Sequence, residues 1–301
     1  MVGRVSSFGL GQAMLRSALS VQSDYATAST QQASGLKTTT YGGLGAKASS
    51  LISTESSTSQ LTTWQSNTKL ANDRTQSMYS AVGDMVDRLT ALRSTLSAAK
   101  SSTDTSVDLN QTGTDLLSDL ADLMNTRQDG RYLFAGSNTD TAPVDPSKLA
   151  AATVPSSADM SYYTGDAEVA SVRISSQQTI DYGVNANGSA FEKALRASNV
   201  LANMTTSPAD QNAINEAYDL ATEALDGLIA TQSGLSTSSD RLEAAETRQT
   251  NALDLLDSVA SDLKEVDTAS VTVKLSEYQT QLQASYSALA SVAKLNLTNY
   301  L

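Results

Sequence analysis

The sequence predicts a mainly α protein: an elongated coiled-coil or helical-bundle rod formed by its N- and C-terminal helices, with a small β-rich inserted domain. Three observations predict it. The last third, Leu235 to Leu301, is a long apolar-periodic run without proline or glycine, and such a run is the pattern of a bundle or coiled-coil helix. A second stretch, Leu61 to Ala99, keeps apolar or small residues in steps of three and four throughout. Between the two, at 129–190, the period falls towards two and turn residues cluster. Composition agrees. The chain is 40% hydrophobic but only 5% aromatic, and narrow helix-on-helix seams need fewer large side chains than a wide globular core.

Taken in order, residues 10–33 form the first predicted helix, with Met14, Ala18, Val21, Tyr25, Ala28 and Gln32 on one seam. Residues 34–47, SGLKTTTYGGLGAK, break the pattern at Gly35, Gly42, Gly43 and Gly45 and predict a loop. No GxxxxGK[ST] is present, so the glycines are not a phosphate loop. The second helix covers 48–100, with Leu61, Trp64, Thr68, Ala71, Thr75, Met78, Val82, Met85, Leu89, Leu92, Leu96 and Ala99 in phase; Trp64 is read as a seam residue. A polar break at 101–112 precedes a helix at 113–128.

Short runs of strand character then follow: Tyr132–Phe134, Tyr162-Tyr163, Val169–Ile174 and Thr179–Tyr182. They are separated by Gly130, Asn138, a proline cluster, Gly165-Asp166 and Asn187-Gly188. Helix resumes near Ala190, breaks at Thr205–Pro208 and continues to Ser233-Gly234. The C-terminal stripe begins with Leu235, Leu242, Ala245, Ala252, Leu256, Val259, Leu263 and Val266. It slips in phase near Ser270, then resumes as Val271, Leu275, Tyr278, Leu282, Leu289 and Val292. A continuous helix over this third would be roughly 100 Å long.

Charge and residue absences narrow the function. The net charge is −12, and residues 101–239 carry eighteen acids against six bases. An acidic middle is a poor footprint for nucleic acid. The chain has no Cys and no His, which removes disulfides, thiolate ligands and the commonest general base. Asp115, Asp119 and Asp122 share a helix face, the arrangement of a solvated acidic surface. No catalytic, metal or cofactor site is expected. No apolar run is long enough for a membrane span, and the N-terminus lacks the pattern of a cleaved signal peptide. The tail from 278 holds one charged side chain, Lys294, and has apolar residues on more than one side. A lone subunit would expose them, so the tail calls for neighbouring chains.

Three stretches carry a resemblance. The first is Asn125-Thr126 followed by Gly130-Arg131-Tyr132-Leu133-Phe134-Ala135-Gly136-Ser137-Asn138-Thr139. The second is Tyr163-Thr164-Gly165-Asp166, with the later Gly188-x-x-Phe191. The third is the C-terminus, from Asp267 through Leu282-Gln283-Ala284-Ser285-Tyr286 to Leu295-Asn296-Leu297-Thr298-Asn299-Tyr300-Leu301. With Ser34-Gly35-Leu36-Lys37 at the end of the first helix, the chain resembles the bacterial flagellin family, and within it the hook-associated branch. The acidic stretch that usually follows Ser-Gly-x-Lys/Arg is replaced by TTTYGGLGAKAS, and the Asn-Arg-Phe-type stretch of filament flagellins is absent.

The resemblance implies a structural, non-enzymatic component of the flagellum. It would be an adaptor at the hook–filament junction, or alternatively a subunit of the filament itself. It implies export without a cleaved signal through the flagellar type III apparatus. The implied partners are copies of the chain in an axial polymer or ring, another hook-associated protein, flagellin and an export chaperone, with no nucleic acid and no membrane. The implied organisation is 1–50 and 278–301 as a polymer core, 51–128 and 190–277 as a helical rod, and 129–189 as a β-rich outer domain. The subunit-interface residues it suggests are Met14, Ala18, Val21, Tyr25, Leu275, Leu282, Tyr286, Leu289, Val292, Leu295, Tyr300 and Leu301.

Overall fold

The computed structural model describes residues 7–101, 108–206 and 209–294. Its helices are α1 (Ser7–Ser34), α2 (Lys47–Ser101), α3 (Leu109–Met124), α4 (Ser189–Ala202), α5 (Gln211–Lys264) and α6 (Thr268–Lys294). Its strands are β1 (Arg127–Gln128), β2 (Arg131–Tyr132), β3 (Ser171–Arg173) and β4 (Thr179–Asp181), paired as two antiparallel hairpins. The chain falls into two compact units: residues 1–60 with 252–301, and residues 61–251. The mainly helical class with a small β-containing insert is as the sequence predicts.

In the unit 61–251, the predicted seam of α2 is the inner face of the helix. Leu61 and Trp64 are half-buried, and each predicted seam residue from Thr68 to Ala99 is buried. α2 runs antiparallel to α5: Gln65 Nε2 donates to Thr250 Oγ1 at 2.8 Å, and Ser239 Oγ donates to Asn72 Oδ1 at 2.7 Å. Several buried positions of this seam are polar, Thr68, Asn72, Thr75 and Gln249 among them. Gln249, 4% exposed, donates from Nε2 to Thr68 Oγ1 (3.1 Å) and to the Ile174 carbonyl just beyond β3 (2.9 Å). It therefore fixes the insert to the helix pair at one register, because a buried amide without partners costs free energy.

α3 starts earlier than periodicity predicts. The Asp108 carboxylate accepts from the Gln111 amide and caps the helix at that point. α3 then packs against α4, with Gly113 at the crossing, where an added Cβ would lie 2.5 Å from the Ala202 nitrogen. Asn110 Nδ2 seals this end by donating to the carbonyls of Ala202 (3.2 Å) and Met204 (3.0 Å).

Two expectations for the C-terminal third are corrected. Ser233-Gly234 does not end a helix; α5 runs through it, held by buried Leu228 and Leu235 on either side. A single glycine costs about 1 kcal/mol in a helix interior, which tertiary packing outweighs. The helix also does not continue to the C-terminus in one piece. α5 stops at Lys264, and α6 starts at Thr268 with the Asp267 carboxylate accepting from the amides of Ala269 and Ser270. The phase slip near Ser270 is the trace of this break. The insert holds less regular strand than its alternation suggests. Tyr163 contributes an isolated bridge to Val144, and Val169-Ala170 lie outside β3. The predicted breaks at 101–112 and Thr205–Pro208 fall partly outside the described residues.

Candidate assembly interface

In the unit 1–60 with 252–301, α1 and α6 pack as an antiparallel pair. Gln32 Nε2 donates to Thr272 Oγ1 at 3.1 Å at one end, and Gly11 lies beside Val292 at the other, with room for a methyl group. The inner stripe of α1 is Gly11, Met14, Ala18, Val21, Tyr25 and Ala28, all half-buried or buried. That of α6 is Val271, Leu275, Tyr278, Leu282, Leu289 and Val292. Small residues on α1, Ala18 and Ala28 above all, let the two backbones approach.

Of the twelve residues suggested from sequence, Met14, Ala18, Val21, Tyr25, Leu275, Leu282, Leu289 and Val292 lie on these two facing stripes. Tyr286 does not: it is 52% exposed, off the α6 stripe. Leu295, Tyr300 and Leu301 lie outside the described residues.

Sequence reasoning missed a second set. Leu10, Leu15 and Leu19 on α1 and Val273 on α6 are exposed apolar side chains off the inner stripes. Ile52 on α2 and Leu255 and Val259 on α5 add to them within the same unit. Val259, predicted on the inner stripe, is exposed instead, whereas the others fall between the heptad positions, so a search for one stripe skips them. The signal available was apolar residues on more than one side of α1, as was noted for the tail. Scattered surface leucines are ordinary, but several on one slender helix pair form a surface that a neighbouring chain can cover.

In the insert, Leu133, Phe134 and Ala135 of the GRYLFAGSNT stretch form a buried plug. Gly130 (φ 79°) and Asp129 (φ 51°) turn β1 into β2. Phe134 is fully buried and meets Phe191 of α4 edge-on at 5.9 Å between ring centres. Tyr162 is also fully buried, donates to the Ala186 carbonyl at 2.9 Å, and has its pKa raised by burial. Asp166 ties two loops together. Its carboxylate accepts from the Ser137 and Glu168 amides (2.9 and 3.0 Å) and from the Ser137 hydroxyl, and these bonds hold its pKa below the usual carboxylate range. Its carbonyl accepts from the Tyr163 hydroxyl at 2.7 Å. Burial, and then the Asp166 charge, push Tyr163 up to about 12. The stretch that is most distinctive in the sequence thus serves to anchor the insert on the helices.

No group of three or more His, Cys, Asp or Glu among the described residues is placed to hold a metal ion, and no described helix is long and apolar enough to cross a membrane. The chain carries a terminal helix pair, a helical unit and a small insert, and its residues 218–301 match the family model of the bacterial flagellin C-terminal helical region.

The fold is similar to that of solved structures of hook-associated proteins. FlgL of Bacillus cereus superposes with a TM-score of 0.55 at 15% identity, over 69% of this chain and 99% of that one. A protein of Vibrio parahaemolyticus described as a flagellar hook-associated protein gives 0.57 at 16% identity, over 72% and 97%. Flagellar hook-associated protein 3 of Legionella pneumophila gives 0.55 at 14% identity, over 70% and 98%. No curated protein matches the chain by sequence.

Proposed function

We propose that the chain is a structural subunit of the bacterial flagellum that joins the hook to the flagellin filament, by packing its terminal helices against those of neighbouring subunits. The observation that carries this reading is the α1/α6 pair, which closes one apolar seam inside the subunit and leaves Leu10, Leu15, Leu19, Val273 and Tyr286 outside it. The flagellin-like C-terminal region and the fold shared with hook-associated proteins support the placement.

On this reading, residues 1–50 and 278–301 form the polymer core, residues 51–128 and 190–277 the helical body, and 129–189 the outer domain. The partners are further copies of the chain, another hook-associated protein and flagellin. The chain reaches the cell exterior through the flagellar type III apparatus, with an export chaperone guarding its apolar ends. Its role is mechanical rather than enzymatic.

Deleting residues 282–301 tests the reading. The truncated protein is expected in the culture medium of a strain that grows hooks without filaments. Normal filaments in that strain overturn the reading. Purified full-length protein is expected to stay monomeric or to add only to hook ends; long filaments grown from it alone would make it a filament subunit instead.

A further inference from the structure

The residues between α5 and α6 contain nothing that obliges a helix to stop. Lys264-Glu265-Val266-Asp267 has no glycine and no proline, and each residue is tolerated inside a helix. The stop comes from elsewhere in the chain. Gly35, at φ +71°, turns the end of α1 so that Leu36 and Glu265 form an antiparallel bridge. The Val266 amide donates to the Gly35 carbonyl at 2.9 Å, and the Lys37 amide donates to the Lys264 carbonyl at 2.7 Å. Lys37 Nζ donates to the carbonyls of Asp262 (2.5 Å) and Leu263 (3.3 Å). Gln31 Nε2 holds the turn in place through the Lys37 carbonyl at 2.8 Å.

The atoms compete one for one. In a helix that continued, the amides of Val266, Asp267 and Thr268 would donate to the carbonyls of Asp262, Leu263 and Lys264, four residues back. Those three carbonyls are the ones Lys37 occupies, two with its ammonium and one with its backbone amide. The ammonium also sits at the negative end of the α5 dipole, where a cation is favoured. On the far side of the break, Asp267 caps α6.

We propose that the Ser34–Lys37 turn is a clasp that switches residues 264–268 between two states. In the closed state Lys37 holds the last carbonyls of α5, and α6 begins afresh along α1. In the open state α5 and α6 are one helix and the turn is released. Lys37 is the positioning residue of the switch.

Residue-resolved amide hydrogen exchange on the full-length protein tests this, comparing the wild type with Lys37→Met, Lys37→Arg and Asp267→Ala. Removing the ammonium shifts the balance towards the continuous helix. In Lys37→Met the amides of Asp267 and Thr268 are expected to exchange about tenfold more slowly, and the Lys37 amide about tenfold faster, for a charge–dipole contact of this kind. Lys37→Arg keeps the cation and is expected to stay near the wild type. Asp267→Ala removes the cap of α6 and is expected to shift the same amides in the same direction without touching Lys37. The two opposite changes distinguish switching from loosening. Faster exchange throughout 260–275, or no change in either Lys37→Met or Asp267→Ala, overturns the proposal.

Discussion

Replacing Phe134 by Ala would test whether the insert is anchored as described. Phe134 is fully buried, lies at the centre of the GRYLFAGSNT stretch, and meets Phe191 edge-on at 5.9 Å. Removing a buried Phe costs about 3–5 kcal/mol once the residual cavity is counted, and the ring pair accounts for up to roughly 1.5 kcal/mol beyond area. With a urea slope of about 2 kcal/mol per molar, a loss near 4 kcal/mol lowers the unfolding midpoint by about 2 M. The assay is urea unfolding followed by the fluorescence of Trp64, the only tryptophan, with circular dichroism alongside. Phe134→Leu, which keeps most of the volume, is expected to cost under about 1.5 kcal/mol. A shift below about 0.5 M for Phe134→Ala would mean that the plug is not part of the core and would refute the anchoring argument.

Two further predictions follow from close packing and from charge. Gly113→Ala places a Cβ 2.5 Å from the Ala202 backbone nitrogen and 2.7 Å from Leu201 Cβ, so it is expected to destabilise the protein by about 1–3 kcal/mol in thermal unfolding, against the roughly 1 kcal/mol gain that helix propensity alone predicts. Asp145, Asp159, Asp166 and Glu223 are all held below their ordinary carboxylate pKa, the first three chiefly by hydrogen bonds from serines and Glu223 by Lys193. A depressed carboxylate binds fewer protons folded than unfolded, so its contribution is present above about pH 4 and is lost as the pH falls through the folded value. The urea midpoint is therefore expected to fall between pH 5 and pH 3, and Asp166→Asn, which cannot ionise, to show a smaller fall.

The helices were readable because their energetics are local and periodic. The α2 seam from Thr68 to Ala99 needed only the rule that residues three and four apart share a face. The stripe misled where one residue type stood beside another: Val259 is 39% exposed while its neighbour Ala260 is buried, so the seam follows the smaller side chain. What could not be read is what a distant residue imposes. The end of α5 is set by Lys37, which is 225 positions from Asp262. The tie between insert and helices is set by Gln249, whose spacing between Ala245 and Ala252 puts it on the seam but whose partners, Thr68 and the Ile174 carbonyl, no period reveals. The candidate interface was half legible. The inner residues declare themselves by period, whereas Leu10, Leu15, Leu19 and Val273 are visible only once the inner face is known and they are found outside it.

The central claim is that those outer residues are the contacts between subunits. The most direct measurement is the binding of purified protein to isolated hook–basal bodies, comparing the wild type with Leu15→Asp/Leu19→Asp. Both leucines are exposed in the single subunit, at 46% and 54%, so the double variant is expected to keep the helix content and unfolding midpoint of the wild type within about 0.5 kcal/mol. Burying a carboxylate at each contact in place of a leucine is expected to weaken binding to hook ends by at least a hundredfold. Wild-type binding by this variant would contradict the account.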